Sequence, residues 1–188
     1  KYQVILTKPA DRTIIDILPD RKQNQLISYF KQWDKDSRNN VEFFVRDMWN
    51  PYSDIAKTYF KQAIQLTDKY HFIRQIIWAF ERVRKKVQKK YGKENRLLFK
   101  HSKKVLTMRK YKLNPEQHQK VEYLLYLSDD LRCAYYLKEQ FYEILDCNDN
   151  IKAKKLLSEW ILYAQNSGLP DYLQCASTLQ NWAKSILD

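Results

Sequence analysis

Val41-Glu-Phe-Phe-Val-Arg-Asp47-Met-Trp-Asn-Pro-Tyr52 places an aspartate just past a short apolar, β-branched and aromatic run. Such a run reads as a buried strand, and Pro51 is suited to the first turn of a following helix. A second apolar run, Ala63–Leu66, leads into Thr67-Asp68-Lys-Tyr-His71. Strand, helix and strand in this order imply a mixed α/β layer. A carboxylate at the end of a buried strand suits a divalent-metal site for phosphoryl transfer. Oxygen ligands favour Mg²⁺ or Mn²⁺ there. Spacing alone leaves two roles open for Asp47, metal ligand and N-cap of the helix near Pro51, a cap that Asn50 also fits. Asp68 and His71 likewise read either as the cap and first turn of the next helix or as groups supporting the Asp47 site.

Upstream, Tyr2–Thr7 and Thr13–Leu18 are β-branched runs around a turn, so an antiparallel hairpin is expected. Lys22–Gln32 has helical spacing, and Asp34–Asn40 reads as a polar connector. Downstream of Phe72 the strand signals stop. Ile73, Ile76, Phe80, Val83 and Val87 form a helical stripe, with Gly92 expected as its C-cap. Asn114-Pro, Ser128-Asp-Asp and Pro170 mark further helix starts, and Gly168 a helix end. Two domains follow, a mixed one over 1–72 and an all-helical one over 73–188. With only two glycines in 188 residues, a turn-rich all-β fold is excluded.

The charge is concentrated. Residues 74–120 carry 16 Lys and Arg against 3 Asp and Glu, more than the whole net charge of +12. Such a field attracts nucleic-acid backbones. Arg82, Arg84, Lys85, Lys86, Lys89 and Lys90 are the candidate phosphate contacts, against the alternative of a solvated helix face. Three widely spaced cysteines read as free thiols of a reducing, cytoplasmic compartment. No apolar run is long enough for a membrane span.

Taken in order, Asp47-Met-Trp-x-x-Tyr52, the segment from Ala63 through Asp68-Lys-Tyr-His71 to Arg74, and Leu18-Pro-Asp-Arg21 resemble the DDE transposases of ISL-three insertion sequences. Leu131-Arg-Cys-Ala-Tyr-Tyr-Leu-Lys-Glu139, Trp160 and Ser167-Gly-Leu169 resemble that group's helical insertion. The resemblance implies an RNase H-like core, interrupted by an all-helical insertion and acting on DNA with Mg²⁺ or Mn²⁺. It makes Asp47 the second catalytic aspartate. The family's first aspartate and its glutamate would fall outside residues 1–188, implying a truncated core that lacks its first strand and is inactive alone. The sheet would then either close up, pairing the Tyr2 strand with the Val41 strand, or be completed by another segment or chain, as in a homo-oligomer. The rival reading is a non-catalytic helical nucleic-acid-binding protein.

Overall fold

The computed structural model describes residues 2–186 and divides into a first compact unit ending at Leu66 and a second beginning at Thr67. The first contains β1 (Val4–Lys8), β2 (Thr13–Leu18), α1 (Gln23–Lys31), α2 (Lys35–Asn39), β3 (Phe43–Arg46) and α3 (Asn50–Tyr59), with β4 (Ile64–Thr67) at the junction. β1 and β2 form the expected antiparallel hairpin, with Val4 opposite Leu18 and Ile5 opposite Ile17. β3 pairs with β4, and Ile64 N–H donates to Glu42 O at 2.8 Å. The Asp34–Asn40 connector is in fact helical at its centre. Asp34 caps α2 by accepting from both Ser37 N–H (2.8 Å) and Ser37 Oγ (2.6 Å), a local geometry that polar composition does not reveal.

One core joins both strand pairs. Val4 and Leu18 from the hairpin, Leu26 and Phe30 from α1, and Ile55, Phe60 and Ala63 from α3 and its exit pack together. Phe30 and Phe60 meet edge-on at 5.1 Å, a favoured aromatic geometry. Alternation along β3 sends Phe43 and Val45 outward, Ile5 and Ile64 are likewise exposed, and β2 exposes Ile14, Ile15 and Ile17 on both faces, with only Leu18 buried. Among the described residues β1 and β3 are not hydrogen-bonded to one another. The closing-up of the sheet, one of the two expected arrangements, does not occur.

The second unit is helical: α4 (Lys69–Lys89), α5 (Lys93–His101), α6 (Lys103–Thr107), α7 (Pro115–Tyr126), α8 (Asp129–Asp146), α9 (Asn150–Gln165) and α10 (Pro170–Ile186), with a 3₁₀ turn at Lys110–Lys112. Several starts follow the sequence signals. Asn114 and Gln117 form a reciprocal capping box, and Ser128 accepts from Leu131 N–H. Gly168, two residues past the Asn166 C-cap of α9, sits at φ +72°, a left-handed conformation suited to glycine. Gly92 departs from expectation. The C-cap of α4 is Lys90, and Gly92, in extended conformation, is instead the N-cap of α5.

α4 packs against α8 and α10, and the centre of the unit is aromatic. Phe141 meets Trp160 at 5.2 Å, Trp160 Nε1 donates to Leu137 O, and Tyr172 Oη donates to Ala134 O, both at 2.7 Å. These two buried donors are thus satisfied by backbone carbonyls, whereas the buried Tyr135 phenol has no hydrogen-bond partner among the described residues. The three cysteines are free thiols, and Cys175 is buried on α10. Burial pushes its thiol up to about 12 from an ordinary 9.0, with Arg82 opposing the shift. Above pH 9 the unfolded chain therefore releases a proton that the folded chain retains. Stability should fall as pH rises through that window, by up to about 1.4 kcal/mol per pH unit from this group. Denaturant unfolding of the parent and Cys175→Ala on either side of pH 9 checks this. The variant should show the shallower loss, whereas parallel profiles would exclude the thiol as a contributor.

Candidate active site and nucleic-acid interface

β3 ends at Arg46, and Asp47 follows it half-buried. The strand end is held from below by Arg46, whose buried guanidinium donates to Ser53 Oγ (Nε 3.2 Å, Nη2 2.7 Å) and to Leu66 O (Nη1 3.3 Å). These bonds tie β3 to α3 and β4. Burial pulls the Arg46 guanidinium below its ordinary value, and the neighbouring Asp47 charge opposes this. The N-cap of α3 falls on Trp49, two residues beyond Asp47, and no side chain there caps the helix. Asn50 lies inside α3 as its first residue.

Aromatic and charged groups gather around Asp47. Trp49 and Tyr52 pack edge-to-face at 4.7 Å. Burial raises the Tyr52 phenol, the Asp47 charge adds to the rise, and the Arg21 charge counters it. Arg21 lies over two rings, 4.4 Å from the Tyr2 centroid and 4.9 Å from that of Trp49. A carboxylate and a guanidinium therefore act on the same tyrosine. The sequence marks Arg21 only through the family-like Leu18-Pro-Asp-Arg21 motif, with no partner assigned. The two aromatics that hold it lie 19 residues before it and 28 after it, a placement no local pattern encodes.

The metal-ligand set is incomplete. Among the described residues no three His, Cys, Asp or Glu side chains group to hold an ion. Asp47 offers one carboxylate, which suits Mg²⁺ or Mn²⁺ only with ligands from elsewhere, such as substrate phosphates and water.

In the second unit, Asp68 caps α4: its Oδ1 accepts from Tyr70 N–H at 2.9 Å, and its Oδ2 lies 3.3 Å from His71 Nδ1. This is the local arrangement of cap and first turn. The basic candidates on α4 separate into three sets. Arg84 is 4% exposed and turned into the core, donating to both Glu81 carboxylate oxygens (2.7 and 3.0 Å), Gln88 Oε1 (3.0 Å) and Phe99 O (2.9 Å). It has no donor fork left to offer a phosphate in this arrangement. Arg82 and Lys86 share Asp171 at 2.9 and 2.7 Å, and Lys90 pairs with Asp130 at 2.9 Å. Lys85 and Lys89 are exposed, one turn apart, and without an ion-pair partner among the described residues. The same holds for Lys93, Arg96 and Lys100 on α5, which the sequence reading did not single out. Their signal was the three- and four-residue spacing of the cations, which places them on one side of a helix.

A family model described as "Transposase", that of the DDE enzymes of ISL-three insertion sequences, matches residues 1–188. The chain belongs to this transposase family. No curated protein and no solved structure matches it. The match supplies a chemical setting for features described so far only by geometry: an aspartate at a strand end and a helical unit with free cations are found in a transposase chain. No described helix is long and apolar enough to cross a membrane.

Proposed function

We propose that this chain handles DNA for metal-dependent strand cleavage and transfer, with Asp47 as one carboxylate of the reactive site. The observation carrying this reading is the position of Asp47. It follows a strand whose end is pinned by the Arg46–Ser53 and Arg46–Leu66 bonds, in a chain of a DDE transposase family. The α3 cap position at Trp49 supports it against the capping alternative. In such sites a divalent cation activates the attacking oxygen and stabilises developing charge. What this chain contributes is a half-buried carboxylate just past the end of β3.

The two strand pairs fit an RNase H-like sheet. Each is two-stranded among the described residues, so β1 and β3, like β2 and β4, have an unpaired edge, and each exposes apolar residues. A strand inserted between β1 and β3 would join them into one sheet and satisfy both edges. The helical unit is then the insertion domain, and its free cations on α4 and α5 are the phosphate-facing surface.

Salt dependence tests the DNA assignment. Duplex DNA should bind at low salt and weaken as salt rises. Replacing Lys85, Lys89, Lys93, Arg96 and Lys100 with Gln should reduce the slope of log affinity against log salt, by up to about 0.9 for each cation that contacts a phosphate. A parent chain that ignores duplex DNA at low salt contradicts the proposal. An unchanged slope in the variant removes α4 and α5 as the interface.

A further inference from the structure

We propose that Arg21 is a phosphate-positioning residue of the Asp47 site, gripping a backbone phosphate of the DNA strand presented to that carboxylate. The inference rests on the DNA reading above and adds a residue and a mode of contact to it.

Three observations converge on Arg21. Its position is fixed by aromatic faces and not by polar partners: the guanidinium carbon lies over the rings of Tyr2 and Trp49. Guanidinium stacking of this kind orients the plane while leaving its N–H edges outward. Those edges are unused, since none of the Arg21 donors meets an acceptor or a carboxylate among the described residues. The nearest acid in sequence, Asp20, is already engaged by Lys22, whose backbone N–H donates to Asp20 Oδ1 at 2.9 Å and whose Nζ lies 3.6 Å from Oδ2. Finally, Trp49 meets Tyr52 edge-to-face, and the charges of Asp47 and Arg21 push the Tyr52 phenol in opposite directions. A cation with free donors thus lies on the ring of Trp49, two residues along the chain from the candidate reactive carboxylate.

The chemistry of the ligand follows. A guanidinium has five donors in a planar fork and pairs best with an oxyanion that accepts two parallel bonds. In a protein that acts on DNA, the phosphodiester is that oxyanion. Aromatic stacking pre-organises the fork, so less side-chain freedom is lost when the phosphate arrives. Positioning of this kind sets which phosphate faces Asp47. Repulsion between the phosphate and that carboxylate is at the same time offset by the guanidinium charge.

The test is titration of the chain with a short duplex of arbitrary sequence across a range of salt, for the parent, Arg21→Gln, Arg21→Lys and Tyr2→Leu. Arg21→Gln should weaken binding about tenfold and lower the salt slope by about 0.9, the signature of one lost phosphate contact. Arg21→Lys should keep the slope while losing part of the affinity, because it keeps the charge and loses the fork. Tyr2→Leu should weaken binding without changing the slope, since the cation remains and only its support is removed. A structural role would instead lower the melting temperature of Arg21→Gln and leave its salt slope intact. That result, or unchanged binding by Arg21→Gln in a parent that binds, overturns the Arg21 assignment alone. A parent that does not bind overturns both it and the DNA reading.

Discussion

Arg84→Ala should destabilise the helical unit by about 3–5 kcal/mol, as expected when one partner of a buried ion pair is removed. The side chain ties Glu81 on its own helix to the Phe99 carbonyl at the C-terminal end of α5. Its loss leaves the Glu81 carboxylate, only 7% exposed, with the Lys103 ammonium at 3.8 Å as its remaining cation. The cost is that of a buried, under-compensated charge, read as a shift in the denaturant midpoint with little change in slope. Replacing Glu81 and Arg84 together by apolar residues of similar volume should cost far less than Arg84→Ala alone, because no charge is then stranded. Lys85→Ala, one residue along, should stay within about 0.5 kcal/mol of the parent. The contrast should invert for DNA: Lys85→Ala is expected to lower the salt slope and Arg84→Ala to leave it alone. Equal stabilities for the two variants would show that Arg84 is a surface cation after all.

Much of this fold is legible in the sequence wherever local chemistry decides it. Asn114 before Pro115, Ser128 before two aspartates and Gly168 before Pro170 each specify a helix terminus through their own side chain or backbone freedom, and the structure uses them so. The β1–β2 hairpin and the β3–α3–β4 order are likewise written in short apolar runs broken by turn residues. Where the deciding contact is distant, local pattern fails. α5 and α6 each bury a single hydrophobic residue, Phe99 and Leu106, so neither produces a periodic stripe. Gly92 then looks like the end of α4 when it is the start of α5.

Arg84 illustrates a signal that was present but outweighed. In the run from Arg82 to Lys90 it looks like one more solvated cation. Yet it lies four residues after Phe80 and three before Val87, on the buried stripe of α4, with Glu81 one turn behind. Position on the stripe predicts burial better than residue type does here. For the candidate site, Asp47 was recognisable because a strand must end before it. The stacking of Arg21 on Tyr2 and Trp49 depends on tertiary contacts that no spacing rule supplies.

The proposed role of Asp47, facing DNA in a metal-assisted site, is tested most directly by duplex binding with and without Mn²⁺, for the parent and Asp47→Asn. A bare carboxylate opposite a phosphodiester is repulsive. Two unit charges about 4 Å apart at an effective dielectric near 20 oppose one another by about 4 kcal/mol, and a bridging cation reverses that sign. Mn²⁺ should therefore tighten DNA binding by the parent, on the order of tenfold. Asp47→Asn should bind in metal-free buffer at least as tightly as the parent, with the same salt slope, and should gain nothing from Mn²⁺. An identical Mn²⁺ response in parent and variant would place the metal elsewhere and contradict the assignment of Asp47.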